Sequence, residues 1–345
     1  MEQLEDKIKH AAHAAGYEAC GIIKVSAVSG FEKELNERIT RIPGSGLFYQ
    51  NYRRFAHLEE TYPWAKSIVV CVRNDGKYKV PDNLEGMIGK SYLFDARTNT
   101  LSPGYLNSIK FEAFLKECGL NTATERKFGI TALRWAASEA GLGLIRKNNF
   151  FYTNSGSWVS LEAWVIDRDL EAIEKLTIKP CPEGCTLCMK HCPTSSLSQA
   201  YTMNPLSCVS FQTTFGELSA TRDRLGAQIG NWVYGCDVCQ DICPFNKNVR
   251  AGTEEFPRLA ELSEQITLEK LVSADYSLLE NILQPKFWYI PQKDVWKWKV
   301  NAINAMVNSN SNKDEYQQSI FTARNDTQPK VREMAEWAIK KMGLQ

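Results

Sequence analysis

Two stretches of the sequence share one pattern, CTLCMKHCP at residues 185–193 and CDVCQDICP at residues 236–244. Each reads C-x2-C-x3-C-P, a run that wraps the chain around three ligands of a cubane iron–sulfur cluster. In proteins with two such runs, the cysteine before proline binds the cluster of the other run. The two copies therefore predict a module with two [4Fe–4S] clusters that exchange ligands.

The remaining ligands come from cysteines outside the two runs. We expect one cluster to be bound by Cys181, Cys185, Cys188 and Cys243, and the other by Cys192, Cys208, Cys236 and Cys239. The membership of Cys181 is open, because its spacing to Cys185 is one residue longer than usual. Structural zinc sites or a set of buried thiols are the alternatives, but zinc ribbons rarely carry the C-P ending twice.

Composition narrows the class of protein. The chain has 345 residues and a formal net charge of +1, so no global basic signal indicates nucleic acid binding. Residues 1–17 are amphipathic without the apolar core of a signal peptide, and no segment approaches the ~20 apolar residues that span a bilayer. These features predict a cytoplasmic protein whose cysteines serve metal or redox chemistry. Cys20, Cys71 and Cys118 lie in apolar stretches and are expected to be small buried hydrophobes.

The sequence pattern divides the chain into three parts. Residues 1–175 mix helical and strand-like patterns, residues 176–250 hold eight of the eleven cysteines, and residues 251–345 are mostly helical. Strands are expected at 19–25, 67–72 and 157–165, and helices at 1–17, 106–118, 130–140 and the C-terminus, where Asp326 or Thr327 would cap the last helix and Gly343 would end it. The sequence therefore predicts an α+β fold with an α/β N-terminal domain, a ferredoxin-like two-cluster module and a helical C-terminal region similar to one HEAT-type unit.

Several further segments carry a resemblance to a known family. They are YPWAKSIVVCV at 62–72, AGLGLIRKN at 140–148, GSW at 156–158, CVSFQT at 208–213, GCDVCQ at 235–240 and CPFN at 243–246. Together they resemble the epoxyqueuosine reductase family, which is related to the reductive dehalogenases, over roughly residues 1–250. The resemblance implies a nitroreductase-like N-terminal domain and HEAT-like helices at the end of the chain.

The resemblance also implies a reaction. Members of this family are oxidoreductases that hold a base-off cobalamin between the N-terminal domain and the two-cluster module. Electrons pass through the clusters to the cobalt, and the epoxide oxygen of epoxyqueuosine in tRNA is removed, which completes queuosine biosynthesis. The implied partners are reduced flavodoxin or ferredoxin as electron donor and tRNA as substrate. The resemblance also implies a monomer that does not associate with a membrane.

Seven polar residues occupy family positions near the corrinoid. They are Lys147, Asn148, Ser157, Ser210, Thr213, Asp237 and Gln240. The resemblance implies that these residues bind cobalamin. Structural alternatives stay open, because Lys147 and Asn148 could cap a helix end, Ser157 could start a strand, and Asp237 and Gln240 could form hydrogen bonds around the cluster sulfurs.

One departure from the family concerns the proton donor. Where the family has D-x-x-P-x-x-E with an acidic residue thought to donate the proton, residues 127–133 read KFGITAL. Epoxide reduction needs a proton at the leaving oxygen, so Glu162 and Glu125 are the candidate catalytic acids. Glu162 shares a predicted strand face with Trp158 and Trp164, where desolvation could raise its pKa; alternatively, it is a solvated rim carboxylate.

Other departures bear on the substrate. Lys127 could bind an anionic substrate or corrinoid side chain where the family has its acid, and Arg146 replaces the family's glycine before Lys-Asn. Two alternatives to epoxyqueuosine reduction therefore remain: a corrinoid and iron–sulfur reductase of another substrate, and a non-catalytic electron-transfer protein.

A basic and aromatic cluster near the C-terminus is the candidate RNA contact. Lys293, Lys297 and Lys299 alternate with Trp296 and Trp298, and the run is followed by Lys330, Arg332, Lys340 and Lys341. Such residues together can bind phosphate and stack on bases. The alternative is that the tryptophans pack in a core and the lysines cover solvated helix faces.

Overall fold

A computed structural model describes residues 2–174, 176–247, 249, 252–309 and 313–344 of the chain. The strands are β1 Ala19–Lys24, β2 Ser67–Asn74, β3 Thr122–Ala123, β4 Leu144–Ile145, β5 Phe151–Tyr152 and β6 Val159–Ile166. Four of them form an antiparallel sheet in the order β1–β2–β6–β3, and β4 pairs with β5. β2 is rich in β-branched residues and buried along most of its length, as expected for a strand that is covered on both faces.

Helices account for most of the remaining regular structure. They are α1 Leu4–Ala14, α2 Gly30–Arg41, α3 Gly46–Tyr49, α4 Leu58–Thr61, α5 Lys90–Leu93, α6 Pro103–Glu117, α7 Leu133–Glu139, α8 Leu187–His191, α9 Val209–Thr213, α10 Asp223–Ile229, α11 Val238–Asp241, α12 Pro244–Lys247, α13 Leu259–Ser263, α14 Leu268–Ser273, α15 Tyr276–Leu278, α16 Gln284–Lys286, α17 Lys297–Asn308, α18 Lys313–Ala323 and α19 Pro329–Met342. Within the described ranges, none of these helices has the length and apolar character needed to cross a bilayer.

The four-stranded sheet has a hydrophobic core on each face. Helices α1 and α6 cover one face, where Cys20, Cys71 and Trp164 are buried. Helix α7 covers the other face, where Ala163 and Val165 are buried. The expectation of burial is confirmed for Cys20 and Cys71 and is wrong for Cys118, which is only partly buried because it lies at the C-terminal end of α6. The strand around residue 162 has two core faces rather than one core face and one mixed face.

The C-terminal helices share a core with the cysteine-rich region. Helix α17 packs against α14 and α19. The same core includes Val233 and Tyr234, which precede the second cysteine run, and Leu84 and Ile88 from the N-terminal part of the chain. The C-terminal helices thus pack against the segment that leads into the second cysteine run.

The last helix begins differently from the expectation and ends as expected. Gln328, rather than Asp326 or Thr327, precedes the first helical residue, and no side chain caps that end. Asp326 instead accepts a hydrogen bond from the backbone N–H of Gln328 at 2.8 Å. Gly343 ends the helix in the left-handed conformation, with φ at 68°, which glycine adopts without steric cost.

Part of the predicted basic and aromatic cluster is buried at the start of α17. Trp296 and Trp298 belong to the core, and Lys297 and Lys299 are also buried. The Lys299 ammonium forms an ion pair with Asp326 at 2.8 Å. The core-packing alternative is therefore correct for both tryptophans, and Trp296, Trp298, Lys297 and Lys299 are too buried to contact RNA. Lys293, Lys330, Lys340 and Lys341 are exposed, so an RNA contact through them stays a prediction.

Candidate cluster sites and adjoining cavity

The first group of cysteines comes from both motifs. Burial raises the pKa of the Cys188 thiol, and the neighbouring thiols of Cys181, Cys185 and Cys243 raise it further. These are the four residues expected to share a cluster, and Cys243 reaches them from the second run. Helices α8 and α11, which carry the middle of each run, pack against each other and bring the two runs together.

The second group shows the complementary pattern. Burial raises the pKa of Cys239, and Cys236, Cys208 and Cys192 raise it further, in that order. Cys188 of the first group also contributes, so the two groups are neighbours.

The donor chemistry of both groups suits cubane clusters. Among the residues that the structure describes, no three His, Cys, Asp or Glu side chains lie close enough to share one metal ion. A cubane has a different requirement, because each of its four cysteines binds a different iron. Cys181, whose spacing left its membership open, is near enough to Cys188 to raise the pKa of that thiol, and its binding to the first cluster stays a prediction.

A buried polar network holds the second cysteine run against the sheet domain. The Ser157 hydroxyl donates to Gln240 Oε1 at 2.8 Å, and Asn246 Nδ2 donates to the Ser157 hydroxyl at 2.8 Å. Asn148 Nδ2 donates to the backbone carbonyl of Cys239 at 3.0 Å. Buried polar groups that are fully paired specify a single arrangement, so Asn148, Ser157 and Gln240 position the second run.

Three more of the expected corrinoid residues also support cysteine loops. The Lys147 ammonium donates to the carbonyls of Pro182, Glu183 and Cys185 at 2.9, 2.7 and 3.0 Å. The Thr213 hydroxyl accepts from the Gly235 N–H at 2.9 Å. The Asp237 carboxylate accepts from the Lys90 N–H at 2.8 Å, and burial raises the pKa of Asp237 to about 7. The structure places these three residues at the backbone around the cysteines.

Ser210 differs from the other six because its side chain contacts a tyrosine. Its hydroxyl is 2.5 Å from the hydroxyl of Tyr92. The Tyr92 ring contacts the Tyr289 ring edge-on, with 5.2 Å between the centroids. Because Cys208 is two residues before Ser210, these contacts lead from the second cysteine group to Tyr289.

Tyr289 is one end of an aromatic arc, which we define as Tyr52, Phe48, Phe211, Phe215 and Tyr289. Successive ring centroids in this order are 5.3, 5.9, 6.2 and 5.4 Å apart. The rings come from the α3 region, the α9 region and the segment before α17. Phe215 is 44% exposed, so the arc reaches solvent. We also call the arc, with Trp288 beside Tyr289, the aromatic wall.

Arg134 and Asn149 are joined by a hydrogen bond and lie near the aromatic arc. The Arg134 guanidinium donates to the carbonyl of Asn149. Arg134 is exposed to solvent, yet burial lowers its pKa and nearby Arg38 lowers it further. Tyr52 and Tyr289 are among its electrostatic neighbours. We take the water-accessible space beside Arg134, Asn149 and the aromatic arc as the candidate cavity.

The unmet polar capacity of these two residues suits a bound ligand. Within the described ranges, no carboxylate forms an ion pair with Arg134. The Asn149 amide is 5% exposed, and neither its nitrogen nor its oxygen has a hydrogen-bond partner. Buried polar atoms are normally paired, so a ligand with amide and anionic groups fits this position. Sequence reasoning missed both residues, and the only hint was the second asparagine after Lys147.

Contacts through Arg97 and Trp288 connect Tyr289 with Lys127. The Tyr289 hydroxyl accepts from Arg97 Nη2 at 2.9 Å, and Arg97 Nη1 donates to the Lys127 carbonyl at 3.0 Å. Trp288 stacks on Tyr289 with 4.0 Å between centroids, and the Lys127 ammonium lies 4.8 Å from the centroid of the Trp288 ring. Lys127 is exposed. An ammonium therefore stands at the rim of the aromatic wall.

The two candidate acids have other partners. Glu162 is 7% exposed and lies under α1 and α6, so the solvated-rim alternative is wrong; its Oε1 pairs with Arg73 Nη1 at 2.9 Å. The sheet separates it from Arg134, which lies on α7. Glu125 is exposed, and its carboxylate accepts from the N–H groups of Lys127 and Phe128, both at 2.8 Å, which closes their turn.

The Lys286 ammonium, which contacts Asp95, provides a test of how strongly this region is desolvated. Its ammonium donates to the Asp95 carbonyl at 2.9 Å, and burial lowers the pKa of Lys286 from 10.5 to about 8. Below pH 8 the ammonium is charged in both the folded and unfolded states. Between about pH 8 and pH 10.5 the unfolded chain binds more protons, so this group makes the protein more stable as pH rises.

We expect the K286M variant to lack this rise. The measurement is the unfolding midpoint in urea from pH 7 to pH 10, compared between wild type and K286M. The difference between them should move in favour of wild type as pH increases. A difference that stays constant over this range would show that the Lys286 pKa is not lowered.

Comparisons with known proteins agree with this arrangement. Residues 181–246 match the family model for a 4Fe-4S double cluster binding domain. The epoxyqueuosine reductase of Prochlorococcus marinus (strain NATL2A) is 30% identical over 313 residues, which are 86% of this chain and 96% of that protein. The epoxyqueuosine reductase of Staphylococcus aureus (strain NCTC 8325 / PS 47) is 30% identical over 61% of this chain and 54% of its own length.

Solved structures show the same fold. An epoxyqueuosine reductase crystallised with an epoxyqueuosine-modified tRNA-Tyr stem loop has a TM-score of 0.78 at 22% identity, covering 99% of this chain and 90% of that one. The epoxyqueuosine reductase of Streptococcus thermophilus has a TM-score of 0.78 at 20% identity, covering 100% of this chain and 91% of its own. With the extent and identity of the Prochlorococcus match, the chain belongs to the epoxyqueuosine reductase family.

Proposed function

We propose that this protein is a cobalamin-dependent, two-cluster reductase that converts epoxyqueuosine to queuosine in tRNA. The observation that carries the proposal is the continuity of the sites: two groups of four cysteines lie side by side, and the Ser210–Tyr92–Tyr289 contacts connect the second group with the aromatic arc. The proposal includes a nitroreductase-like arrangement of the N-terminal domain and a HEAT-like arrangement of the C-terminal helices.

The eight cysteines would bind two [4Fe–4S] clusters, one in each group. The chain's own contribution is to bring the cysteines of each group, and the two groups, close together. Asn148 and Gln240 hold the second run, and Lys147 holds the loop between Cys181 and Cys185. Reduced flavodoxin or ferredoxin would supply the electrons.

The cavity would bind the corrinoid. The flat faces of the aromatic arc suit a large macrocycle, and the unpaired Asn149 amide and the Arg134 guanidinium suit its amide and phosphate groups. When bound, cobalamin supplies the reducing chemistry at the substrate. The protein orients the two partners, and Tyr92 and Ser210 exclude water between the cavity and the second cysteine group.

Lys127 would supply the proton to the leaving oxygen. Glu162 is paired below the sheet and both Glu125 oxygens accept backbone hydrogen bonds, whereas the Lys127 ammonium lies at the rim of the wall. The same observation favours a second function, in which the corrinoid reductase acts on an anionic substrate that Lys127 binds. The two functions differ in whether an epoxyqueuosine-modified tRNA stem loop is turned over.

The test begins with anaerobic reconstitution with iron, sulfide and cobalamin. We expect about eight irons and one cobalt per chain, with the electron paramagnetic resonance spectrum of base-off cobalt. Wild type should then reduce an epoxyqueuosine-modified stem loop, and K127M should lose about 10²–10⁴-fold in rate, the usual contribution of a general acid. The K127D variant, which restores a carboxylic acid at that position, is the matched comparison.

Three outcomes would change the proposal. Turnover by K127D without turnover by wild type would favour the anionic substrate. Equal rates for wild type and K127M would remove Lys127 from proton transfer. Eight irons without retained cobalt would overturn the corrinoid reductase and leave an electron-transfer protein.

A further inference from the structure

We propose that Arg146 raises the reduction potential of the cluster in the first cysteine group by holding a fixed positive charge against Cys181. The inference rests on the proposed function only in that this group binds a [4Fe–4S] cluster. Arg146 directly follows β4 and is 2% exposed. Its Nη1 donates to the Cys181 sulfur at 3.8 Å.

The guanidinium is held between two segments of the chain. Its Nη2 donates to the Lys179 carbonyl at 2.7 Å, on the segment that enters Cys181. The guanidinium carbon lies 3.3 Å from the centroid of the Phe245 ring, two residues after Cys243, and 4.9 Å from that of Tyr152. These contacts hold the guanidinium beside the Cys181 sulfur.

The charge of Arg146 has no protein counterpart. In the part of the chain that the structure describes, no carboxylate forms an ion pair with Arg146, and its buried Nε has no hydrogen-bond partner. A buried cation without a counter-charge is strongly unfavourable. A [4Fe–4S] cluster with four cysteine thiolates carries a net negative charge, so the cluster itself would be the counter-ion.

This charge acts more strongly on the reduced cluster than on the oxidised one. Reduction adds one electron, which makes the cluster more negative, and the low polarity of a buried site increases the attraction to the guanidinium. Net charge and hydrogen bonds to the sulfurs are the main determinants of cluster potentials. Arg146 therefore favours the reduced state and raises the potential of the first cluster.

Two departures from the usual pattern meet at this contact. Arg146 stands where the resembling family has glycine, which has no side chain to reach a cysteine, and Cys181 is one residue farther from Cys185 than usual. Lys147 binds the carbonyls of the longer loop. Lys147 therefore binds the backbone of the loop, and its neighbour Arg146 contacts the Cys181 sulfur.

The test is a redox titration of the reconstituted full-length protein, followed by electron paramagnetic resonance. R146M keeps most of the side-chain volume and removes the charge and the donors, and R146K keeps the charge and removes the planar fork. We expect R146M to lower the midpoint potential of the first cluster and leave the second unchanged, and R146K to produce a smaller decrease. Repeating the titration in the C239A background, which lacks a ligand of the second group, assigns the first signal.

The second cluster is the internal control. An unchanged first potential in R146M, or equal shifts of both clusters, would overturn the inference. If R146M loses the iron of the first group, the neutral R146Q variant decides: a lowered potential supports the inference and a wild-type potential overturns it. A wild-type chain that binds no iron would overturn the proposed function as well, whereas two clusters with unmoved potentials would overturn this inference alone.

Discussion

Replacing Cys243 with alanine is expected to remove the iron of the first cysteine group, although Cys243 belongs to the second C-x2-C-x3-C-P run. The reason is ligand exchange, because Cys243 stands with Cys181 and Cys185 around Cys188. Total iron should fall from about eight to about four atoms per chain, which is the content of one cubane. Iron and sulfide analysis after anaerobic reconstitution measures this change.

Double variants separate ligand exchange from the simpler arrangement in which each run binds its own cluster. C188A/C243A removes two ligands from one proposed cluster and should keep about four irons, whereas C239A/C243A removes one ligand from each and should keep almost none. If each run bound its own cluster, these two results would be reversed.

The control for these variants is C118A. Cys118 is partly buried, follows α6 and has neither cysteine group among the charges that act on it. It should keep the wild-type iron content. A loss of iron in C118A would show that the losses in the other variants reflect general destabilisation.

Removing Arg73 is expected to cost about 3–5 kcal/mol of unfolding free energy, the usual effect of breaking a buried ion pair on one side. Arg73 pairs with Asp75 at 3.1 Å and with Glu162 at 2.9 Å, and all three side chains are buried. Burial alone would lower the pKa of Arg73, but the two carboxylates raise it above its ordinary value. The R73M variant leaves both carboxylates under α6 without a cation.

Urea unfolding under anaerobic conditions, followed by tryptophan fluorescence, measures this loss. The double variant R73M/E162M should lose less than the sum of the two single variants, because residues in one buried pair are coupled. K341M is the control, since Lys341 forms an exposed pair with Asp223 that contributes about 0–1 kcal/mol. An R73M midpoint equal to that of wild type would contradict the prediction.

The sequence alone predicted the two cysteine groups. The C-x2-C-x3-C-P spacing is local and its geometry is set by the chemistry of the cubane, so the exchanged assignment could be written without coordinates, and the structure groups Cys188 and Cys239 with the expected partners. The strands β1, β2 and β6 were also predictable, because apolar and β-branched residues are enriched in strands.

Residues whose environment depends on distant segments could not be predicted. Glu162 alternates with tryptophans along one strand, but only the packing of α1 and α6 shows that it is buried and paired with Arg73. Lys299 and Trp298 look like a basic and aromatic surface, and only the helices around α17 show that both are buried. The burial of a side chain depends on neighbours that are remote in sequence.

The cavity was likewise a product of tertiary structure. The aromatic arc joins rings from residues 48, 52, 211, 215 and 289, and no spacing rule connects positions so far apart. The unpaired Asn149 amide depends on a backbone φ of 65°, which is unusual for a residue other than glycine. The sequence by itself determined the two C-x2-C-x3-C-P runs, because their spacing is local, and from them it predicted which cysteines share a cluster. Only the tertiary structure decided which charges are paired and where a ligand can lie, because desolvation and contact depend on the whole fold.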